Sequence, residues 1–260
     1  MKPNKKYQFA GIIPARYASS RFPGKPLAII GDRTMIQRVY DQACKALDLV
    51  YVATDDKRIY DTVISFGGKA VMTSPDHFSG TDRCSEAASL IMAETGSIID
   101  IVINIQGDEP FIRPEQIKLL MECFDSEGVD LATLIRKVEA PEDIFNPNQP
   151  KVIINTAGDA IYFSRSVIPY VRDAEKEDWV KKHQFYKHLG LYAYRTSVLS
   201  IITKLPKSPL EIAESLEQNR WIENGFRIRT AVTKWESIGI DTPEDLEKAK
   251  LMLEEFDKIC

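Results

Sequence analysis

Positive charge gathers on one irregular stretch near the amino terminus. Residues 11–27 read GIIPARYASSRFPGKPL, an apolar run passing into a loop that carries Arg16, Arg21 and Lys25 without acidic residues. Proline, glycine and two serines lie among these cations, so the stretch predicts no helix. A triphosphate at neutral pH carries about four negative charges, and several convergent cations suit it. A merely solvated basic loop would have the same composition. The loop follows the first strand, where a dinucleotide-binding protein would place G-x-G-x-x-G. That fingerprint is absent, and Gly24-Lys25 is followed by proline rather than Ser or Thr, so there is no P-loop. Any anion here must be met by side-chain cations.

Two carboxylates are candidates for the complementary chemistry. Asp108, in NIQGDEP, stands just past an apolar strand, and Gly107 beside it lets backbone approach a ligand closely. Mg²⁺ commonly takes one or two protein carboxylates plus phosphate oxygens and water, which suits Asp108. Asp241, in GIDTPED, lies at another strand-to-helix junction. Helix capping is the plain reading for it, but Thr242-Pro243 already fills that role. His183 and His188 are a close pair with no third ligand at a familiar spacing, which argues against zinc. His188, in the strand-like HLGLY, reads as structural on spacing alone, and Arg165 after AIYF reads equally as the partner of a carboxylate.

The elements that must position these residues alternate. Strands are expected at YQFAGIIPA, LVYVAT, KAVMT and DIVINIQ. Helices are expected from Thr34, over RIYDTVISF, over DRCSEAASLIMAE opened by Thr81 and Asp82, and over PEQIKLLMECF with Pro114 at its first position. This βαβα order predicts a mainly parallel sheet flanked by helices, whose ligands bind beyond the carboxyl ends of the strands. Further on, two strand-like runs surround Gly158-Asp159 as a hairpin, and DAEKEDWVKKHQFYK reads as a polar, exposed excursion. SPLEIAESLEQNRWIENG reads as one helix with a capping box of Ser208 and Glu211, RIRTAVT as a strand, and DTPEDLEKAKLMLEEF as a closing helix.

Composition bounds the function classes. The chain has 260 residues, 44% hydrophobic and 28% charged, with net charge −4. The mild negative charge argues against a general nucleic-acid or anionic-membrane binder. No apolar run approaches the roughly 20 residues of a membrane span. The amino terminus lacks the apolar core and cleavage site of a signal peptide. Cys44, Cys84, Cys123 and Cys260 are scattered without a C-x-x-C pair, as expected of reduced cytoplasmic thiols.

Taken in order, GIIPARYASSRFPGKPL, VATDD, SGTDR, NIQGDEPFI, FNPN, AIYFSRSVIP, KHLGLYAYR, SPLEIAESLEQNRWIENG and GIDTPEDLEKA closely resemble the 3-deoxy-manno-octulosonate cytidylyltransferases, over essentially the whole chain. YFSR, HLG-x-Y and LEQ-x-R together separate it from sialic-acid cytidylyltransferases. The resemblance implies a nucleotide-diphospho-sugar transferase (GT-A-like) α/β fold with a mainly parallel central sheet and a smaller sugar-binding and dimerisation lobe. The expected division is 1–135 for nucleotide binding, 136–232 for that lobe, and 233–260 for a metal-ligand strand end and closing helix. It further implies a cytoplasmic homodimer that joins CTP to 3-deoxy-manno-octulosonate (Kdo) with Mg²⁺, giving CMP-Kdo and pyrophosphate for lipopolysaccharide synthesis.

By motif, the resemblance assigns Pro14, Ala15, Arg16, Arg21 and Lys25 to the CTP site, with Ser79, Gly80, Arg83 and Gln106 as further nucleotide or sugar contacts. Asp108 and Asp241 match the Mg²⁺ ligands, and Arg16, Lys25, Asp108 and Asp241 carry the catalytic role. Arg165, His188, Tyr192, Glu217 and Gln218, with Gln106, match the Kdo pocket. Phe22 in the loop and the lengthened polar stretch 173–184 depart from the pattern without touching these positions. A cytidylyltransferase for another 2-keto sugar acid, including an amino analogue of Kdo, and a non-catalytic nucleotide-binding protein on the same fold are the alternatives. The latter would be expected to lack Lys25, Asp108 or Asp241.

Overall fold

A computed structural model describes residues 7–19, 21–236 and 238–259. Residues 1–6, part of the stretch read against a signal peptide, lie outside the described residues, as do Ser20, Ser237 and Cys260. In chain order the elements begin with β1 (Phe9–Ala15), the two-residue β2 (Ile29–Ile30) and β3 (Arg33–Thr34), α1 (Met35–Cys44), β4 (Val50–Thr54) and α2 (Lys57–Ser65). Next come β5 (Ala70–Met72), α3 (Gly80–Thr95), β6 (Ile101–Asn104), α4 (Pro114–Glu122), β7 (Leu131–Lys137), β8 (Lys151–Ile154) and β9 (Ala160–Ser164). The chain closes with α5 (Trp179–Lys182), β10 (Tyr186–Arg195), α6 (Thr196–Ile202), α7 (Pro209–Glu214), α8 (Glu217–Glu223), β11 (Ile228–Val232) and α9 (Pro243–Ile259). Two compact units result: one from Met1–Ile117, Arg195–Leu199 and Ser237–Cys260, the other from Lys118–Tyr194 and Ser200–Glu236.

In the first unit β1 lies between β4 and β6, parallel to both, and β4 pairs in parallel with β5. The chain thus steps from β1 to β4 to β5, then returns to the other side of β1. The carboxyl ends of β1 and β6 are therefore the switch point at which such sheets bind ligands. The strands are nearly continuous apolar runs because helices cover them: Ile12, Ile13, Val52, Ala53, Ile101, Val102 and Ile103 are buried, with α1 and α3 against β1 and β4. Thr34 caps α1 as expected, accepting from the Gln37 amide. The cap of α3 is Ser79, whose hydroxyl accepts from the Asp82 amide, so this helix starts before the expected Thr81 and Asp82.

A second apolar cluster gathers Ile30, Met35, Phe111, Ile240 and Ala249, with Phe22, Ala28, Ile238, Leu246 and Leu253 against them. It pins the basic loop, the segment after β6 and the start of α9 to one another. Phe22 is thus a core contact of the loop. Within this loop Lys25–Leu27 form one 3-10 turn, opened by Gly24 at φ 72°, a conformation that favours glycine.

In the second unit β7 pairs antiparallel with β10 and parallel with β11, while β8 pairs antiparallel with β10 and with β9 in the expected hairpin. Two expectations are corrected. The single helix over 208–225 is two helices, broken at Ser215 with φ 51°. The Ser208–Glu211 capping box is present, but the chain turns to bury Leu216 and Trp221. Apolar spacing did not show this break because apolar residues continue across it: Leu210 and Ile212 before Ser215 are exposed, while Leu216 and Trp221 after it are buried. The polar stretch before β10 is also not wholly exposed: Trp179 is buried with Val138, Ile144 and Phe185, its ring stacked on Phe185 at 6.5 Å. One large aromatic outweighs its charged neighbours.

Candidate active site

The ends of β1 and β6 open into a cleft of about 290 Å³. Pro14, Ala15, Arg16, Arg21, Lys25, Ser79, Gly80, Arg83, Gln106, Asp108 and Asp241 all line it. These are the expected nucleotide and metal residues, so residues spread over most of the sequence converge on one place. Two close approaches make room for it. A Cβ on Gly107 would lie 2.9 Å from the Pro14 carbonyl oxygen, and one on Gly80 would lie 3.3 Å from the Pro14 ring.

Lys25 stands at the centre of the charges. Its Nζ donates to Asp108 Oδ2 at 2.7 Å and to Asp241 Oδ1 at 3.1 Å, with only 13% of the side chain exposed. Arg21 pairs with the other oxygen of Asp241 at 3.0 Å. Arg16 is exposed and makes no ion pair or hydrogen bond among the described residues. Asp241 is spared from capping: Thr242 Oγ1 accepts from the Asp245 amide, and Asp245 Oδ2 accepts from the amides of Asp241 and Thr242. The carboxylate is left for the cleft.

Two carboxylates that already converge on one cation suit a hard divalent ion. Among the described residues no cluster of three or more acidic, His or Cys side chains forms a closed metal cage. The pair therefore fits an ion that completes its shell with substrate oxygens and water, as Mg²⁺ does.

Arg83 is buried, and its guanidinium is tied to Thr73 Oγ1 (2.6 Å), the Ser74 carbonyl (3.3 Å) and Asp55 (3.3 Å). It shapes the cleft wall by holding the ends of β4 and β5 against α3. Sequence reasoning missed His77 and Phe78, which also line the cleft. His77 Nε2 pairs with Glu86 Oε2 at 2.5 Å, and Glu86 also accepts from the Ser74 amide. Burial works to raise the Glu86 carboxyl, but these bonds prevail and hold it below its ordinary range. The signal was available in DHFSGTDR, where a histidine precedes the cap of a helix that faces the cleft.

The expected sugar residues other than Gln106 cluster in the second unit. Among the described residues the Arg165 guanidinium pairs with no carboxylate. Its Nε donates to the Glu214 carbonyl (2.7 Å), and its two terminal nitrogens donate to the carbonyls of Pro147 (3.0 Å) and Ser215 (3.3 Å). The break after α7 leaves the Glu214 and Ser215 carbonyls free to seat it. The Glu214 carboxylate accepts from Ser164, Tyr162 and the Arg165 amide. Burial favours its neutral form, and these bonds outweigh that and lower its pKa. His188 Nε2 lies 2.9 Å from Thr133 Oγ1, with its ring against Phe163 and Tyr192. The residue is half-buried, and burial pushes its pKa down to about 3, so it is neutral at physiological pH. Tyr192 Oη is buried without a partner in hydrogen-bonding geometry among the described residues, and burial raises its pKa well above the ordinary value. Gln218 is buried nearby in α8, and Glu217 accepts from Arg220 at 2.7 Å.

The cytidylyltransferase family profile matches residues 10–234. The 3-deoxy-manno-octulosonate cytidylyltransferase of Bacteroides thetaiotaomicron is 56% identical over 95% of this chain and 98% of its own. That of Cytophaga hutchinsonii is 57% identical over 90% of this chain and 93% of its own. A solved structure of CMP:2-keto-3-deoxy-manno-octonic acid synthetase complexed with CTP is 43% identical, with TM-score 0.86 over 95% of this chain and 99% of that one. A 4-diphosphocytidyl-2C-methyl-D-erythritol synthase from Anaerococcus prevotii, 14% identical with TM-score 0.57 over 95% of this chain and 96% of that one, shares the fold alone. With such identity over nearly its whole length, the chain belongs to the 3-deoxy-manno-octulosonate cytidylyltransferases.

Proposed function

We propose that this chain transfers CMP from CTP to the anomeric 2-hydroxyl of Kdo, releasing pyrophosphate, and that it does so with Mg²⁺ as a cytoplasmic homodimer supplying lipopolysaccharide synthesis. The observation that carries the reading is the convergence of Lys25 on Asp108 and Asp241 at the end of β1, in a chain that belongs to this family. The three residues that a non-catalytic relative would be expected to lose are all present. Among the described residues no helix is long and apolar enough to cross a membrane.

The chemistry follows from the charges. In the free protein the loop cations neutralise the two carboxylates. An arriving triphosphate offers oxygens to Lys25, Arg21 and Arg16, and the carboxylates are released from their internal ion pairs. Asp108 and Asp241 would then hold Mg²⁺, which supplies charge neutralisation at the α-phosphate and lowers the pKa of a bound hydroxyl. Lys25 and Arg16 stabilise the charge that develops on the departing pyrophosphate. Arg165 holds the carboxylate that distinguishes Kdo from a neutral sugar. Three of its five N–H donors are spent on carbonyls, which leaves one on each terminal nitrogen. No dedicated base is required in this scheme, because positioning and electrostatics account for most of phosphoryl-type transfer. The test is formation of the CMP-linked sugar acid by the purified protein, read by product mass. A nucleotide product without the sugar would dismiss the reading.

A further inference from the structure

Lys151, the first residue of β8, has no exposed surface, yet among the described residues its ammonium makes no direct ion pair with a carboxylate. Its Nζ donates to the main-chain carbonyls of Asn146 at 2.8 Å and Arg165 at 2.7 Å, and to nothing else among the described residues. An ammonium withdrawn from water without a direct ion pair is costly, and a methionine of similar length would fill the space without that cost. Burial accordingly pushes the Lys151 pKa down, with Glu214 opposing through space and Arg165 adding to the fall. Such a charge needs a use other than packing.

Its two acceptors point to that use. Asn146 precedes Pro147, whose carbonyl accepts from the Arg165 guanidinium. The other acceptor is the carbonyl of Arg165 itself. The ammonium therefore fixes the main chain of Arg165 itself and of the segment leading to Pro147, one of the two that seat the guanidinium; the other is Glu214–Ser215. It also places a second positive charge beside Arg165. Glu214 is the acid that both cations feel, and its carboxylate is already engaged by Tyr162, Ser164 and the Arg165 amide. Two positive charges against one negative leave a single positive excess, which matches one carboxylate on a ligand.

We propose that Lys151 is a positioning residue for Arg165, holding its main chain and supplying the charge that makes the place before its guanidinium selective for the carboxylate of a sugar acid. This rests on the reading of Arg165 as the sugar-carboxylate anchor.

The experiment compares Lys151→Met, Arg165→Ala and the double variant in steady-state assays with Kdo and CTP varied separately, alongside thermal unfolding. Lys151→Met should raise the KM for Kdo roughly tenfold or more, as loss of a charge-assisted contact does, while leaving the KM for CTP within about twofold. In the double variant the KM for Kdo should stay within about twofold of Arg165→Ala alone, because coupled residues are not additive. An unchanged KM for Kdo in Lys151→Met, or equal rises for both substrates, overturns the proposal. So does full multiplication of the two effects. If Arg165→Ala itself leaves the KM for Kdo unchanged, the anchor reading fails, whatever Lys151→Met does. Should Lys151→Met not fold, Lys151→Gln, which keeps an amide donor without charge, is judged by the same criteria. Failure of both to fold makes Lys151 a residue of the fold alone and overturns the proposal.

Discussion

The Ile240 amide donates to the Asp108 carbonyl across 2.9 Å, and this one backbone contact sets the carboxylates of Asp108 and Asp241 side by side. Ile240 itself is buried among Ile30, Met35 and Phe111. The separation of the two carboxylates is thus fixed by main chain and core rather than by the side chains that use it. Lys25 enters between them from a loop anchored by the same cluster.

Replacing Lys25 by Ala should lower turnover by roughly a hundred- to a thousandfold, the range for removing one preorganised donor to a developing anion. The same change should tighten binding of Mn²⁺ or Mg²⁺ in the absence of nucleotide, because it removes the ammonium that holds both carboxylates. Calorimetric titration with the metal alone measures this. Near-normal turnover would remove Lys25 from the triphosphate site.

The neighbouring acids separate chemistry from capping. Asp241→Asn should cut activity sharply, with at most partial recovery at high Mg²⁺, and should shift thermal unfolding little. Asp245→Ala should instead cost about 1 kcal/mol of stability through loss of the α9 cap, measured by denaturant unfolding, with KM values for both substrates preserved. Full activity of Asp241→Asn would return that residue to a structural role.

Arg165→Lys keeps a charge but loses the planar fork and the three-carbonyl seat. It should raise the KM for Kdo more than that for CTP. Arg165→Ala should cost roughly 1.5–3 kcal/mol of sugar binding. Kinetics with each substrate varied in turn decide the matter. Equal damage to both KM values would move Arg165 out of the sugar pocket.

His188 gives a dependence on pH. Its pKa in the fold is about 3, against about 6.5 when unfolded. Between these values the unfolded chain binds the extra proton, so stability is present above about pH 6.5 and is lost as the pH falls. Carboxyl groups stay mostly ionised above about pH 5.5. The drop in unfolding temperature from about pH 7 to about pH 5.5 should therefore shrink in His188→Gln. An identical drop in both proteins would mean that His188 titrates normally.

The alternation of strands and helices made the first unit legible. Asp108, Asp241 and the basic loop were visible as polar clusters at strand ends, whereas the strand order, with β6 returning beside β1, came only from the structure. What stayed hidden was tertiary. Two of the three carbonyls that seat Arg165 are free because the chain breaks at Ser215, and apolar residues continue across that break, exposed before it and buried after it. His77 escaped notice because a single histidine in a loop has no periodicity; its partner Glu86 lies on a helix that follows. Trp179 shows the converse, one apolar side chain anchoring a stretch whose composition reads as solvent-exposed.

The most direct test of the central claim is pyrophosphate release by the purified protein, supplied with CTP and Mg²⁺ and then with Kdo, its amino analogue, a sialic acid or no sugar. The account predicts release that requires Kdo and metal together and equals the CMP-Kdo formed. Release without a sugar acid, or faster release with the amino analogue or the sialic acid than with Kdo, would contradict it.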